Sequence, residues 1–400
     1  MIPLDYETLN IVSIVAFIVI VALLVLKDRK KFQRDAVLLV RRTQRGKELI
    51  IRLGRSHPTF FRRLGNIGVV IGFIASIITI ILLIQNLAMI ATSTADIPGA
   101  ALVLPTISTQ ASIGPGYFAV PFWYWIISIA LLILVHEGFH GVFFAREKLR
   151  IKSMGVGLLV ILPLAFVEED RKEFEKLKPM QRLRILAAGS FANFMLAGLA
   201  FLVLSVAFAG AFVSSGVSYS GLIEGYPAHD MNLTGVIVQI DHFEIRTSAD
   251  LSAALEQLGV GQTIDIYTEV RNSYGIEEKT YSLTTVQSPF VDTPGVNPDK
   301  GFIGIIGIGE TESIAPGLED YEAAIFFTRG LVIFIFLLNL FVGMFNVLPL
   351  PILDGGQMWN ILFKKIAPKG YKLITKTVYW IIFLLIVALF VLPILKPFLL

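Results

Sequence analysis

The 400-residue chain contains no cysteine, which excludes disulfides, thiolate-ligated metals and thiol catalysis. Histidine is scarce as well, with five in all, so imidazole chemistry has few places to occur. Lysine and arginine are missing altogether from residues 64–145, although the chain holds 34 of them. The cations are gathered into blocks: residues 27–65 carry 13 Lys/Arg against 3 Asp/Glu, and further clusters lie at Arg146–Lys152, Arg171–Arg184 and Lys364–Lys376. Residues 214–321 invert the balance, with 4 Lys/Arg and 16 Asp/Glu. Cationic blocks between apolar runs orient a membrane protein and hold it to the lipid surface, so nucleic acid is not expected as a partner.

What the chain has in abundance is apolar length, with 55% hydrophobic residues. A helix needs ~20 mostly apolar residues to cross a ~30 Å hydrocarbon core. Residues 9–26, 66–91, 122–145, 185–213, 322–348 and 374–395 meet or approach that length. The first run follows Asp5 and Glu7, precedes Lys/Arg and lacks a small-residue cleavage pattern. It reads as a retained span with the N-terminus outside, not as a removed signal peptide.

The expected fold is a polytopic α-helical membrane protein of about six transmembrane helices plus a re-entrant segment, with an inserted extracytoplasmic α/β domain. Residues 1–92 hold two spans around a basic cytoplasmic loop, in which Ala36–Gly54 suggests a hairpin of two apolar-rich arms. Residues 93–213 hold two further spans. Between them Met154–Asp170, with Pro163 inside, has too few apolar residues to cross as a helix and reads as re-entrant. Residues 214–300 form the insert. Gly235–Ile240 and Gly261–Val270 have strand-like β-branched content, and a helix starts at an N-cap Ser248 and stops at Gly259. Residues 301–321 read as a linker and 322–400 as the rest of the membrane core. In that last part Asn346–Asn360 contains Pro349, Pro351, Gly355 and Gly356, so the backbone is expected to unwind near membrane depth.

The residues that carry chemistry lie in the third span. His136 and His140 are four apart, so a helix puts both on one face, one turn above the other. Each can offer a nitrogen to one Zn²⁺, and Glu137 beside them can act as general base. The plain alternative is a metal-free hydrogen-bond cluster between helices. Ionisable groups at membrane depth cost roughly 2.5–3.5 kcal/mol each on insertion scales, which favours a functional reading. A catalytic zinc needs a third protein ligand. Asp354 is the candidate; alone it would read as an Asp-Gly turn, and Glu168, Glu169 and Asp170 compete with it from a charge-rich run.

Together, His136-Glu137-Gly138-Phe139-His140, the Gly189–Asn193 "GSFAN" and Asn346–Gly356 "NVLPLPILDGG" resemble the site-2 protease family of intramembrane zinc metalloproteases. The resemblance implies His136, His140 and Asp354 as zinc ligands, one ion per chain, and Glu137 as the catalytic residue. It implies substrate or site support from Asn193 and Asn346; for Asn193, hydrogen-bonded glue between helices packed through Ala187, Ala188, Gly189 and Ala192 is an equal reading. It implies cleavage of single-span membrane proteins by metal-activated water near the cytoplasmic face of the membrane, which is the cell membrane if the source is prokaryotic, usually after another protease has trimmed them. Tyr219–Leu255 resembles the PDZ module inserted in many members, without a clear Gly-Asp before Val236. That module would sit on the opposite side, capturing peptide ends or excluding large ectodomains. The alternative function is a metal-cation transporter or channel using the same His/Asp cluster.

Overall fold

A computed structural model describes residues 6–35, 38–93, 99–114, 116–159, 162–272, 275–291 and 297–396. Six of its helices are long and apolar enough to cross a membrane. The chain divides into two compact units, residues 1–204 with 327–400 and residues 205–326.

The first unit opens with α1 (Tyr6–Lys27), whose apolar side chains stay exposed around its circumference, Leu23 at 59% and Leu24 at 58% among them. That is the surface of a helix facing lipid. Next come β1 (Gln33–Asp35), β2 (Leu38–Thr43) and α2 (Lys47–Ser56). The hairpin expected over Ala36–Gly54 is therefore half right: its second arm is a helix, and Ala36 and Val37 lie outside the described residues. The arm is helical because it docks on the next-but-one span, with Gly54 set tightly against Val142 and Ala145.

The second span, α3 (Pro58–Thr92), starts on a proline at its first turn, where no N–H is needed. The cation-free loop after it forms a small sheet: β3 (Leu102–Thr106), β4 (Ser112–Gly114) and β5 (Tyr117–Pro121). The third span is α4 (Phe122–Arg146). The segment expected to be re-entrant is a β-hairpin of β6 (Ile151–Leu159) and β7 (Leu162–Glu169), with Val160 and Ile161 outside the described residues. The four-stranded antiparallel sheet runs β1-β2-β6-β7, so β7 is an edge strand. The short α5 (Arg171–Lys176) leads to α6 (Pro179–Ala207), the fourth span, which starts six residues earlier than the apolar run suggests.

The second unit contains β8 (Phe212–Ser218), β9 (Gly221–Leu222), α7 (Pro227–Asp230), β10 (Val236–Ile240), β11 (Phe243–Glu244), α8 (Ser248–Gln257), β12 (Thr263–Asn272), β13 (Gly275–Thr284), β14 (Ile305–Ile306) and β15 (Gly309–Ile314). Its main sheet runs β13-β12-β10-β8-β15 over a core that includes Val217, Ile237, Leu251, Ile264 and Ile303. Two expectations change here. The N-cap of α8 is Thr247, not Ser248, in a reciprocal capping box with Asp250. Residues 301–321 are not a bare linker: β15 pairs with β8 from Gly309↔Ser218 to Ile314↔Phe212, and β14 pairs with β9.

The chain returns to the first unit along α9 (Glu322–Asn346), then runs through α10 (Asp354–Ile366) to α11 (Tyr371–Leu395). Unwinding is confined to residues 347–353. Gly355 and Gly356, expected in the irregular stretch, lie in the first turn of α10, where a Cβ would collide with the folded-back backbone of Val347 and Leu350. A core of Val69, Phe143, Phe174, Ile185, Ala187 and Met358 joins α3, α4, α5, α6 and α10.

Candidate active site

The second half of α4 carries His136, Glu137 and His140, and the helix brings both imidazoles to one face. Their rings meet edge to face at 4.8 Å between centroids, with 3.2 Å between the two Nε2 atoms. Asp354 is the first residue of α10, where a helix N-terminus favours a carboxylate. Its Oδ2 lies 3.2 Å from His140 Nε2 and 3.5 Å from His136 Nε2.

Three donor atoms thus converge on one point. Ligands held ~2.0–2.1 Å from a tetrahedral ion stand roughly 3.3–3.4 Å apart, and the three separations bracket that value. Two imidazoles and a carboxylate are also the donor set that zinc accepts, with a fourth position left for reacting groups. The residues present fit one zinc ion. Both histidines are about nine-tenths buried, so the protein fixes their rings in place.

The far side of each imidazole rests on α6. With Nε2 turned to the metal position, His140 donates its Nδ1–H to the carbonyl of Ile185 at 2.9 Å. His136 Nδ1 lies 3.1 Å from the side-chain amide of Asn193. Gly189 stands midway, and a methyl group there would press on both Nε2 atoms. Ile185, Gly189 and Asn193 recur every four residues and so lie along one stripe of the helix. Of the two readings of "GSFAN", close packing is realised between Gly189 and the imidazoles themselves. Asn193 meets His136.

Glu137 is directed to the hairpin: its Oε2 accepts the Val167 N–H at 3.1 Å. That N–H points away from β6, so the outer edge of β7 faces the carboxylate. A cavity of about 350 Å³ adjoins the site, lined by His136, Glu137, Ala165, Asn346 and Asp354. Asn346, the last residue of α9, therefore shares a cavity with the site. A second cavity, about 180 Å³, lies against Glu137, His140, Val167, Glu169 and Asp354.

None of the competing acids is among the three converging donors, although Glu169 lines the second cavity. Glu168 pairs with Lys152 at 2.6 Å and with Ser153 at 2.7 Å, and these bonds hold its carboxyl below the usual range. Asp170 caps α5 by accepting from Lys172 and Glu173. Glu169 reaches Arg171 at 3.6 Å. The Ile185 carbonyl and the Val167 N–H are site groups that sequence reasoning missed, since backbone atoms leave no mark in the residue alphabet. The four-residue repeat from Ile185 to Asn193, matching the histidine spacing, is the one available signal.

The family model for peptidase family M50 matches residues 124–390, a segment running from α4 to α11 and containing every residue of this cluster. The chain belongs to peptidase family M50. Among curated relatives of this M50 chain, a protein of Clostridium perfringens named a "putative zinc metalloprotease" is 24% identical over 68% of this chain and 96% of its own length. A second with the same description, from Clostridium acetobutylicum, is 21% identical over 61% of this chain and 87% of its own. An uncharacterized protein of Methanocaldococcus jannaschii is 22% identical over 93% of this chain and 91% of its own. The M50 protein is a zinc metalloprotease and, with its six apolar helices, a multi-pass membrane protein.

Proposed function

We propose that this M50 protein is an intramembrane endopeptidase that cuts single-span membrane proteins within their transmembrane segments, near the cytoplasmic face, after another protease has trimmed them. The observation that carries the reading is that His136, His140 and Asp354 come together on and between membrane-crossing helices. The basic blocks of residues 27–65 and 146–184 favour a cytoplasmic position for that end of α4. The acidic insert then lies on the other side, where its PDZ-like order of elements suits a filter against large ectodomains.

Bound by His136, His140 and Asp354, zinc would supply Lewis acidity toward water and toward the scissile carbonyl. Glu137 takes the proton from water and passes it to the leaving amine. Asn346 lines the adjoining cavity and is placed to support the substrate backbone.

A helical substrate offers no free peptide bond, so it must unwind and be held extended. The outer edge of β7 offers a strand to pair with. Val167 sends its N–H outward, and the pairing with β6, regular from Ser153↔Glu168 to Leu158↔Pro163, puts the Ala165 N–H in the same phase, while Pro163 in that phase offers only its carbonyl. A substrate strand on that edge would take up the Val167 N–H and free Glu137 for chemistry. Among the described residues this is the one His/Asp/Glu group able to hold a metal, whereas a transport path needs a succession of such sites.

The test is to incubate the purified protein in lipid nanodiscs with a single-span reporter and map the products by mass spectrometry. Cuts inside the span, lost with a chelator and restored by zinc, are expected. Cuts outside the span, or cleavage that survives zinc removal, would overturn the reading.

A further inference from the structure

We infer that Asn193 is a positioning residue for the metal centre: its side-chain carbonyl accepts the Nδ1–H of His136 and so fixes the tautomer whose Nε2 lone pair faces the ion. The inference deepens the proposed function, since it rests on His136 being a zinc ligand.

A neutral imidazole has one N–H and one lone pair. A histidine that ligates through Nε2 must therefore carry its proton on Nδ1, and that N–H needs an acceptor. For His140 the acceptor is unambiguous, because Ile185 offers a backbone carbonyl. His136 and Asn193 form the matching pair one turn along. The two helices run in opposite directions here, so His140 meets Ile185 while His136 meets Asn193 eight residues later.

Asn193 is fully buried, so no bulk water can take its place beside His136. Its Nδ2 faces Nδ1, and its Oδ1 is a buried oxygen without a partner among the described residues. That setting would have the amide donate to the Nδ1 lone pair and force the proton onto Nε2. An Nε2–H cannot ligate, and it would point into the space where Nε2 of His140 and Oδ2 of Asp354 also converge. Amide oxygen and nitrogen are assigned from their hydrogen-bond network. Rotating this amide by half a turn puts the partnerless oxygen on the Nδ1–H and leaves all three donor atoms directed at the ion. The α6 stripe then acts as one cradle, with a carbonyl for His140, a side-chain carbonyl for His136, and Gly189 clearing the space between them.

The deciding comparison uses Asn193→Leu, which keeps the shape without an acceptor, and Asn193→Asp, which is an acceptor only. Zinc affinity of the full-length protein is read by competition with a chromophoric chelator, beside wild type and His136→Ala. Loss of affinity by about 10–100-fold in Asn193→Leu, with Asn193→Asp within a few-fold of wild type, is the expected pattern. Unchanged affinity in Asn193→Leu would reduce Asn193 to helix glue. Equal losses in both variants would overturn the acceptor assignment. Unchanged affinity in His136→Ala would instead refute the ligand reading, separately from the role of Asn193. ¹⁵N resonances of histidine-labelled, zinc-free protein supply a readout independent of metal. Wild type should hold His136 with the proton on Nδ1 and Asn193→Leu should release it to Nε2; an Nε2–H signal in wild type would overturn the inference.

Discussion

Gly189 has no side chain, and its position between two imidazoles makes that absence functional. A Cβ would lie against Nε2 of both His136 and His140. Gly189→Ala should therefore push the ligands apart, lowering zinc affinity at least about tenfold, with overpacking of ~1–3 kcal/mol visible in thermal melts. Retention of wild-type zinc affinity would show that the ligands have slack. At this scale the sequence was legible wherever side-chain chemistry and helical spacing coincide. His136, Glu137 and His140 declare one helix face by their numbers alone. Asp354 declared itself only once a third ligand was required. The acceptor carbonyl of Ile185 belongs to a residue that reads as plain core, and the meeting of Val167 with Glu137 depends on which edge of a strand faces the helix.

Two element pairings hold the site together. Glu147, at the end of α4, is buried with its carboxylate 2.9 Å from Arg184 of α6, and Gln181 donates to it at 2.9 Å. This pair sets the two helices in register a few turns from the metal ligands. Removing one partner of a buried pair strands the other charge, so Glu147→Ala should cost about 3–5 kcal/mol and lower the melting temperature of the whole membrane unit. A melt unchanged within error would mean that water reaches Arg184 freely. The other pairing is the edge of β7. Ala165→Pro removes an outward N–H while sparing the ladder to β6, because proline is tolerated on an edge. Its loss should reduce kcat/KM by up to about tenfold with zinc content unchanged. Full activity in that variant would remove β7 as the substrate platform. Spans were readable because apolar length has one meaning at membrane depth. Lys47–Ser56 was not, because an arm of Leu49, Ile50 and Ile51 suits either period, and docking against α4 through Gly54 decides it.

Across the whole molecule, the second unit enters and leaves by adjacent strands. Phe212 of β8 pairs with Ile314 of β15, and the Ala315 N–H bonds to the Ala211 carbonyl at 3.0 Å. Its core is its own, and its ends are already together. Replacing residues 212–314 by a short linker should leave zinc stoichiometry at one per chain and preserve cleavage of substrates without ectodomains. Loss of zinc on excision would show that the membrane unit needs the insert to fold. The extent of that unit was hard to read, because β14 and β15 are short strands among glycines and carry little apolar run. The central claim is that Glu137 performs proton transfer beside a metal held by other residues. The most direct measurement compares wild type with Glu137→Ala for bound zinc and for cleavage of a transmembrane reporter. Equal zinc with cleavage reduced by 100-fold or more (general acid–base catalysis contributes typically ~10²–10⁴) is the predicted result. Cleavage at the wild-type rate in the variant would contradict it.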